Sequence, residues 1–253
     1  MSTALALSRP PAFLKLLSHP LRWQILKILA GTDLKVQELV RLLNQPQNLV
    51  SYHLHQLRQQ RIIHERRSIA DGREIYYSID LDQVRLLYFS SGEALHPALG
   101  ERELPTPTIP NKPVRVLFLC THNSARSQIA EAILRTRSQG KIDAFSAGTE
   151  PTEVHPLAIQ AMAEMAIDIQ DHRSKSLEEY IGQDFDYIIT VCDRAREACP
   201  IFPGDPVRIH WSFPDPAATE GSESERYRAF RETAIQLNTR IGYLLLTLNR
   251  SEA

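Results

Sequence analysis

The stretch Pro113-Val-Arg-Val-Leu-Phe-Leu-Cys120-Thr-His-Asn-Ser-Ala-Arg126-Ser127, followed by the apolar residues Ile129, Ala130, Ala132, Ile133 and Leu134, decides how the larger part of this chain folds. Residues 113–119 form an almost continuous apolar run of strand length, which fits a strand buried on both faces. Beyond Ser127 the apolar residues return at helical spacing. A strand that passes through Cys-x5-Arg into a helix is the layout of an anion-binding loop. Successive backbone N–H groups point inward, the helix N-terminus adds its positive end, and Arg126 closes the ring with a planar fork of donors. The expected oxyanion cradle is therefore Thr121, His122, Asn123, Ser124, Ala125, Arg126 and Ser127. The same field favours a thiolate, so Cys120 is expected to have a depressed pKa and to be nucleophilic at neutral pH, with Ser127 donating to its sulfur.

Upstream of this strand, residues 100–113 hold four prolines in 14 positions. Proline fixes φ and lacks an N–H, so the stretch suits neither a helix interior nor a central strand. It reads as a linker, with a long surface loop inside one domain as the alternative. The 253 residues then divide into domains at 1–99 and 114–253. The net charge of −1 conceals an asymmetry: residues 1–100 carry 12 Lys/Arg against 8 Asp/Glu, and the remainder 17 against 22. A polyanion is thus favoured as a partner of the first part and disfavoured for the second. Only Cys120, Cys192 and Cys199 are cysteines, which excludes a disulfide scaffold and suits a cytoplasmic protein with reduced thiols. No apolar run approaches the ~20 residues of a membrane helix, and Met1–Pro11 lacks the basic start and apolar core of a secretory signal.

In the first part, Leu21, Ile25, Leu26, Ile28 and Leu29 recur at helical spacing and stop at Gly31. Thr32 or Asp33 is the expected cap of a second helix near 36–43, whose apolar residues Val36, Leu39, Val40, Leu42 and Leu43 fall mostly on one side. After the polar turn 44–48 a helix is expected over 49–60, with Leu49, Val50, Leu54 and Leu57 inward. Residues 62–67 and 73–79 have β character, with Asp71-Gly72 between them as a hairpin signal. Helices followed by a basic hairpin make a winged helix-turn-helix of α+β class. By position Gln47, Asn48, Ser51, Tyr52 and His55 face a DNA groove, and Arg66, Arg67 and Arg73 the phosphates. A solvated polar face is the plainer alternative.

The run His19-Pro-Leu-Arg22, Ile25-Leu26, Leu39, Gln47-Asn-Leu-Val-Ser-Tyr-His-Leu54 and Leu57-Arg58 resembles the arsenical-resistance (ArsR-type) repressor family over about residues 10–95. The resemblance implies binding of double-stranded DNA as a homodimer that pairs through the first and last helices, here about 11–18 and 81–95. Metal-sensing members often carry a cysteine pair on the helix before the recognition helix; residues 36–43 have none. His53 and His55 lie i,i+2 on a helix and point apart, a poor chelate.

In the second part, Cys120 to Glu131, Phe145-Ser-Ala-Gly-Thr-Glu150, His155-Pro156 and Ile167-Asp-Ile169 resemble the low-molecular-weight tyrosine phosphatase superfamily, and more narrowly its thioredoxin-coupled arsenate reductases. The resemblance implies an α/β domain with a four-stranded parallel sheet, its strands at 114–119, 142–146, 187–191 and 207–210. It implies that Trp211-Ser-Phe-Pro-Asp215-Pro216-Ala217 is a mobile acid loop with Asp215 as general acid. The further cysteines in Val191-Cys192-Asp-Arg-Ala-Arg-Glu-Ala-Cys199-Pro200 supply what a reductase needs beyond a phosphatase, namely two electrons. In the implied relay Cys120 attacks arsenate, Cys192 attacks Cys120, and Cys199 moves the disulfide to where thioredoxin or a similar dithiol reduces it. Two inert buried thiols are the alternative. A helix over 193–198 would hold Cys192 and Cys199 about two turns, roughly 10 Å, apart, too far for a disulfide, so oxidation is expected to unwind a marginal, exposed segment.

Some relatives hold potassium with Asn, Glu, Ser and Asp; Asn123, Glu131 and Ser146 match, but Lys175 stands where the Asp would be. Neither a metal nor a bound cofactor is expected. The overall expectation is an arsenate reductase fused to a DNA-binding regulator. The alternatives are a tyrosine phosphatase on the same winged helix, or a transcription factor whose second domain senses oxyanion or redox state.

Overall fold

The structure is a computed structural model that describes residues 10–100, 103–107 and 113–248. It divides into two compact units, with the main division between Leu104 and Pro105. Of the proline-rich stretch, residues 103–107 form neither helix nor strand. Residues 101–102 and 108–112 of that stretch, the first nine residues of the expected first domain and the last five of the second lie outside the described residues.

The first unit runs α1 (Ala12–Leu17), α2 (Pro20–Leu29), β1 (Leu34–Lys35), α3 (Val36–Leu43), α4 (Gln47–Gln59), β2 (Ile63–Arg67), β3 (Ile75–Ile79) and α5 (Leu81–Glu93). Proline opens α2 at a position where its missing N–H costs nothing, and His19 Nδ1 accepts from Leu21 N at 3.2 Å to cap it. Asn44 closes α3 in the left-handed region, φ 49°, which asparagine tolerates. Asp80 caps α5 by accepting from Gln83 N at 2.8 Å. The strands form an antiparallel sheet in the order β1-β3-β2, with Glu65 opposite Tyr77 and Leu34 opposite Tyr77 on the other edge. The helices close over Ile25, Leu29, Leu39, Val50, Leu54, Leu57, Ile62 and Ile63, all buried. Each such side chain contributes about 1.5–3 kcal/mol by leaving water.

Three local expectations are corrected. Neither Thr32 nor Asp33 caps α3: Lys35 occupies that position, its N–H donating to Glu38 Oε2 at 2.8 Å, because two further residues are drawn into β1. Leu49 and Leu42 are exposed, at 37% and 63%. The inward face of α4 instead takes His53 with Val50, Leu54 and Leu57; at 3.6 residues per turn these four share one face and Leu49 falls at its edge.

The second unit contains β4 (Val114–Cys120), α6 (Arg126–Arg137), β5 (Ile142–Gly148), α7 (Pro156–Glu164), β6 (Tyr187–Thr190), α8 (Asp193–Glu197), β7 (Val207–His210) and α9 (Glu223–Thr247). Its four strands are all parallel, in the order β5-β4-β6-β7. Val116, Leu117, Phe118 and Leu119 are buried, as a central strand covered on both faces requires. The 25-residue α9 packs Phe230, Ala234, Leu237, Ile241 and Leu245 into the same core, and Ser222 with Glu225 forms its capping box. The chain leaves β4 toward β5 on one side and returns to β6 on the other. The carboxyl ends of β4 and β6 therefore flank a topological switch point, where open parallel sheets hold their ligands. Cys120 ends β4 and Cys192 follows two residues after β6.

Candidate active site and nucleic-acid interface

The segment from Cys120 to Arg126 wraps into a loop whose outer carbonyls are all claimed. Thr149 N donates to Cys120 O at 3.3 Å, Glu150 N to Thr121 O at 2.8 Å, Thr152 N to His122 O at 3.0 Å and His155 N to Ser124 O at 2.9 Å. With those carbonyls turned outward, Asn123 N donates to Cys120 Sγ at 3.1 Å on the inner side of the loop. Asn123 itself sits at φ 48°, an uncommon conformation held by its surroundings. Its Oδ1 accepts from Lys175 N at 2.7 Å and Gln128 Nε2 at 2.9 Å, and its carbonyl accepts from Ser174 Oγ at 2.7 Å.

Asn123 Nδ2 donates to Ser127 Oγ at 2.8 Å, which leaves the Ser127 hydroxyl hydrogen free to point at Cys120 Sγ, 2.9 Å away. The expected Ser127–sulfur contact is therefore present. Asn123 Nδ2 also reaches Ser146 Oγ at 2.9 Å, and Ser146 Oγ donates to Glu131 Oε2 at 2.5 Å. Lys175 Nζ lies 3.0 Å from the same carboxylate oxygen, so an ammonium occupies the corner beside Asn123, Glu131 and Ser146. Among the described residues no cluster of three or more His, Cys, Asp or Glu is arranged to hold a metal.

Arg126 is buried; its Nη1 donates to Phe213 O at 3.1 Å and its Nη2 pairs with Asp215 Oδ2 at 2.9 Å. Asp215 in turn accepts from Ala217 N at 3.1 Å, starting the single 3-10 turn Pro216–Ala218. Burial works against the depressed Cys120 pKa that the anion loop was expected to give. Burial pushes the thiol up and the neighbouring Cys192 adds to it, against the pull of Arg126, the Ser127 hydroxyl and the Asn123 N–H. The physical reason is that the sulfur is out of water, where the charged form is disfavoured.

Cys192 is also buried, and Thr121 Oγ1 lies 3.3 Å from its sulfur, so the second expected thiol sits beside the residue that follows Cys120. The segment after Cys192 differs from the expected exposed two-turn helix. α8 spans five residues, Cys192 Sγ accepts from Ala195 N at 3.4 Å as its cap, and Asp193 is fully buried. Asp193 Oδ1 accepts from Ser212 Oγ at 2.7 Å and His210 Nε2 at 3.2 Å, which anchors the helix start against β7. Cys199 lies just past the helix and is half-buried; all three thiols are free.

Gly148, quoted above only within the 145–150 motif, has a structural role of its own. A Cβ there would meet Thr121 O at 2.6 Å, Asn123 N at 2.8 Å and His122 C at 3.0 Å, so the loop can lie against the end of β5 only across a glycine. The sequence marks this glycine only as part of Phe145-Ser-Ala-Gly148-Thr-Glu150; its pairing opposite Cys120 appears only in the sheet.

In the first unit Gln47, Asn48, Ser51, Tyr52 and His55 are all exposed along α4, while His53 is buried against the His19 ring, 4.2 Å between centroids. The two histidines thus point apart, as their spacing predicts. Arg67 and Arg73 are exposed on the hairpin and Arg66 is half-buried, its Nη1 donating to Arg67 O at 2.9 Å.

Comparison with known families gives two matches. The low molecular weight phosphotyrosine protein phosphatase model matches residues 115–253, and the bacterial regulatory protein, arsR family, model matches residues 19–65. An arsenate reductase of Halalkalibacterium halodurans is 39% identical over 131 residues, which cover 52% of this chain and 94% of that protein. Another from Bacillus cereus is 43% identical over 113 residues, covering 45% and 84%. A solved arsenate reductase in its oxidized state aligns with 53% of this chain and 98% of its own at 30% identity, with a TM-score of 0.47.

Proposed function

Because the chain belongs to the low molecular weight phosphotyrosine protein phosphatase family through residues 115–253, and is fused to an arsR-family regulatory segment at 19–65, we propose that it reduces arsenate with a three-cysteine relay and binds DNA through its first domain. The observation that carries the enzymatic half is the juxtaposition of Cys120 and Cys192 about Thr121, with Cys199 beyond a five-residue helix. A phosphatase has no use for the second and third thiols.

In this reading residues 121–127 cradle the oxyanion and the Cys120 sulfur attacks arsenic. Asp215 is tied to Arg126 before substrate arrives. Arsenate competes for the guanidinium, and the released carboxyl group takes a proton and delivers it to the departing oxygen, which leaves as water. Cys192 then attacks Cys120 Sγ. The S–S bond forms, the S–As bond breaks with its electron pair going to arsenic, and arsenite departs. Cys199 next attacks Cys192, and thioredoxin or a similar dithiol reduces the Cys192–Cys199 disulfide by a further exchange. That transfer requires α8 to unwind, since its helical rise separates the two thiols. Lys175 supplies the positive charge at Glu131, so the site calls for neither metal nor bound cofactor. The same cradle accepts aryl phosphates, which are also tetrahedral oxyanions.

The first domain, assigned to residues 1–99 and joined by the 100–113 linker to the enzyme at 114–253, lays α4 in the major groove of double-stranded DNA. Arg66, Arg67 and Arg73 meet phosphates, and α1 with α5 pairs two copies into a homodimer. The three cysteines are free thiols, which suits a reducing compartment and supports a cytoplasmic location. Among the described residues no helix is long and apolar enough to cross a membrane.

The deciding assay is thioredoxin-dependent arsenate turnover by purified protein, followed through NADPH consumption. Cys192→Ser and Cys199→Ser should each abolish turnover while aryl-phosphate hydrolysis persists. Turnover that survives both substitutions refutes the relay.

A further inference from the structure

Cys199 is held by a cation that none of the chemistry above uses. Arg208, exposed on the edge strand β7, donates from Nη1 to Cys199 Sγ at 3.4 Å and from Nη2 to Pro200 O at 3.1 Å. The thiol hydrogen of Cys199 points to that same Pro200 carbonyl, 3.7 Å away. When the thiol ionises, the carbonyl keeps a donor in Arg208 Nη2 and the sulfur keeps one in Nη1. Loss of the proton therefore leaves no polar group without a partner, and a neutral N–H···S contact becomes charge-assisted.

We propose that Arg208 is the thiolate-stabilising residue for the last thiol of the relay, fixing Cys199 at the end of β7 and raising its reactivity toward the Cys120–Cys192 disulfide. The proposal rests on the relay reading and adds a residue to it. In the step concerned, the Cys199 proton goes to solvent and the thiolate attacks Cys192 Sγ. The Cys192–Cys199 bond forms, the Cys120–Cys192 bond breaks, and Cys120 leaves with the electron pair as a thiolate. The disulfide moves without net oxidation or reduction.

The need for such a residue is physical. Exchange rate follows the fraction of attacking thiol that is ionised. Burial pushes the Cys199 thiol up, and Arg208 is the group that opposes it, by charge and by hydrogen bond. A planar fork suits this task better than an ammonium, because one donor meets sulfur while another meets the carbonyl.

The test is the pH dependence of Cys199 alkylation by iodoacetamide in the full-length reduced protein, read by peptide mass spectrometry, beside the pH profile of thioredoxin-dependent turnover. Arg208→Gln should slow Cys199 alkylation about tenfold at neutral pH and shift its profile to higher pH, the scale of losing one charge-assisted hydrogen bond. Turnover should fall in parallel and recover as pH rises. Arg208→Lys, which keeps the charge without the fork, should restore part of both. An Arg208→Gln profile within twofold of wild type overturns the proposal, as does a loss of turnover that no rise in pH restores. The relay reading is judged separately: turnover that survives Cys199→Ser overturns that reading, whereas the alkylation profile alone decides what Arg208 does to the thiol.

Discussion

Gly148→Ala adds a single methyl group against the backbone of the anion loop. The three atoms it would meet belong to the backbone of Thr121, His122 and Asn123, at 2.6–3.0 Å, where ordinary contact begins at 3.4 Å. Gly148 does not sit at positive φ, so the new side chain brings no backbone strain of its own; the cost is the collision. The Thr121 carbonyl must retreat by about 0.8 Å, and the loop is pinned on its outer side by the N–H groups of residues 149–155. Overpacking of this kind costs about 1–3 kcal/mol of stability. Displacing a cradle by nearly an ångström costs about 100-fold in rate. The expected result is a modest loss in urea-unfolding free energy with a fall of about two orders of magnitude in kcat/KM for p-nitrophenyl phosphate. Gly31→Ala, whose Cβ meets nothing closer than 3.7 Å, serves as the neutral control. A Gly148→Ala protein with kcat/KM within twofold of wild type would show that the loop is not held as described.

Lys175→Met removes the ammonium from a buried carboxylate, with Arg135 Nη2 on the other oxygen at 2.7 Å as the remaining cation. A loss of about 3 kcal/mol is expected in denaturant unfolding, largely restored in Lys175→Met/Glu131→Gln; an unchanged midpoint counts against the pairing. On the alkaline side, Cys120 and Cys199 both hold their protons more tightly when folded than at the ordinary value of 9.0. Their contribution is whole below that value and is lost as pH rises toward the folded values, so stability should decline above about pH 9. Cys120→Ser should flatten the decline. On the acid side, burial lowers His53 first of all, with His19 and Arg22 adding to it; its contribution is present above 6.5 and is lost as pH falls through the folded value. His53→Leu should then reduce the acid-induced loss of first-unit stability between pH 7.5 and 5, and an unaltered acid limb refutes that assignment. For DNA, Arg67→Gln and Arg73→Gln should each weaken binding across all sequences and reduce the salt slope by about 1, as removal of one phosphate contact does. A slope that stays the same removes these residues from the backbone interface.

Much of the fold was legible because its signals are local. The apolar run at 114–119, the Cys-x5-Arg spacing and the Asp71-Gly72 turn each lie within a few residues, and the four parallel strands emerged close to their expected bounds. The two-residue β1 was not legible, since Leu34 and Lys35 become a strand only by pairing with Tyr77 and Tyr76, more than 40 residues away. Leu49 went the other way: residue type favours burying a leucine, but the helical period sets it at the edge of the face that Val50, His53, Leu54 and Leu57 share.

The sequence alone determined which chemistry this chain can attempt, because a nucleophile, its arginine and two further thiols are matters of residue type and short spacing. Only the tertiary structure decided whether those groups meet. Parallel β4 and β6 bring Cys192, 72 positions after Cys120, to within 3.3 Å of the Thr121 hydroxyl. It also decided the surroundings of each group: burial pushes the Cys120 thiol up and Asp215 pairs with Arg126, effects that depend on what lies nearby in space and not on neighbours in the chain.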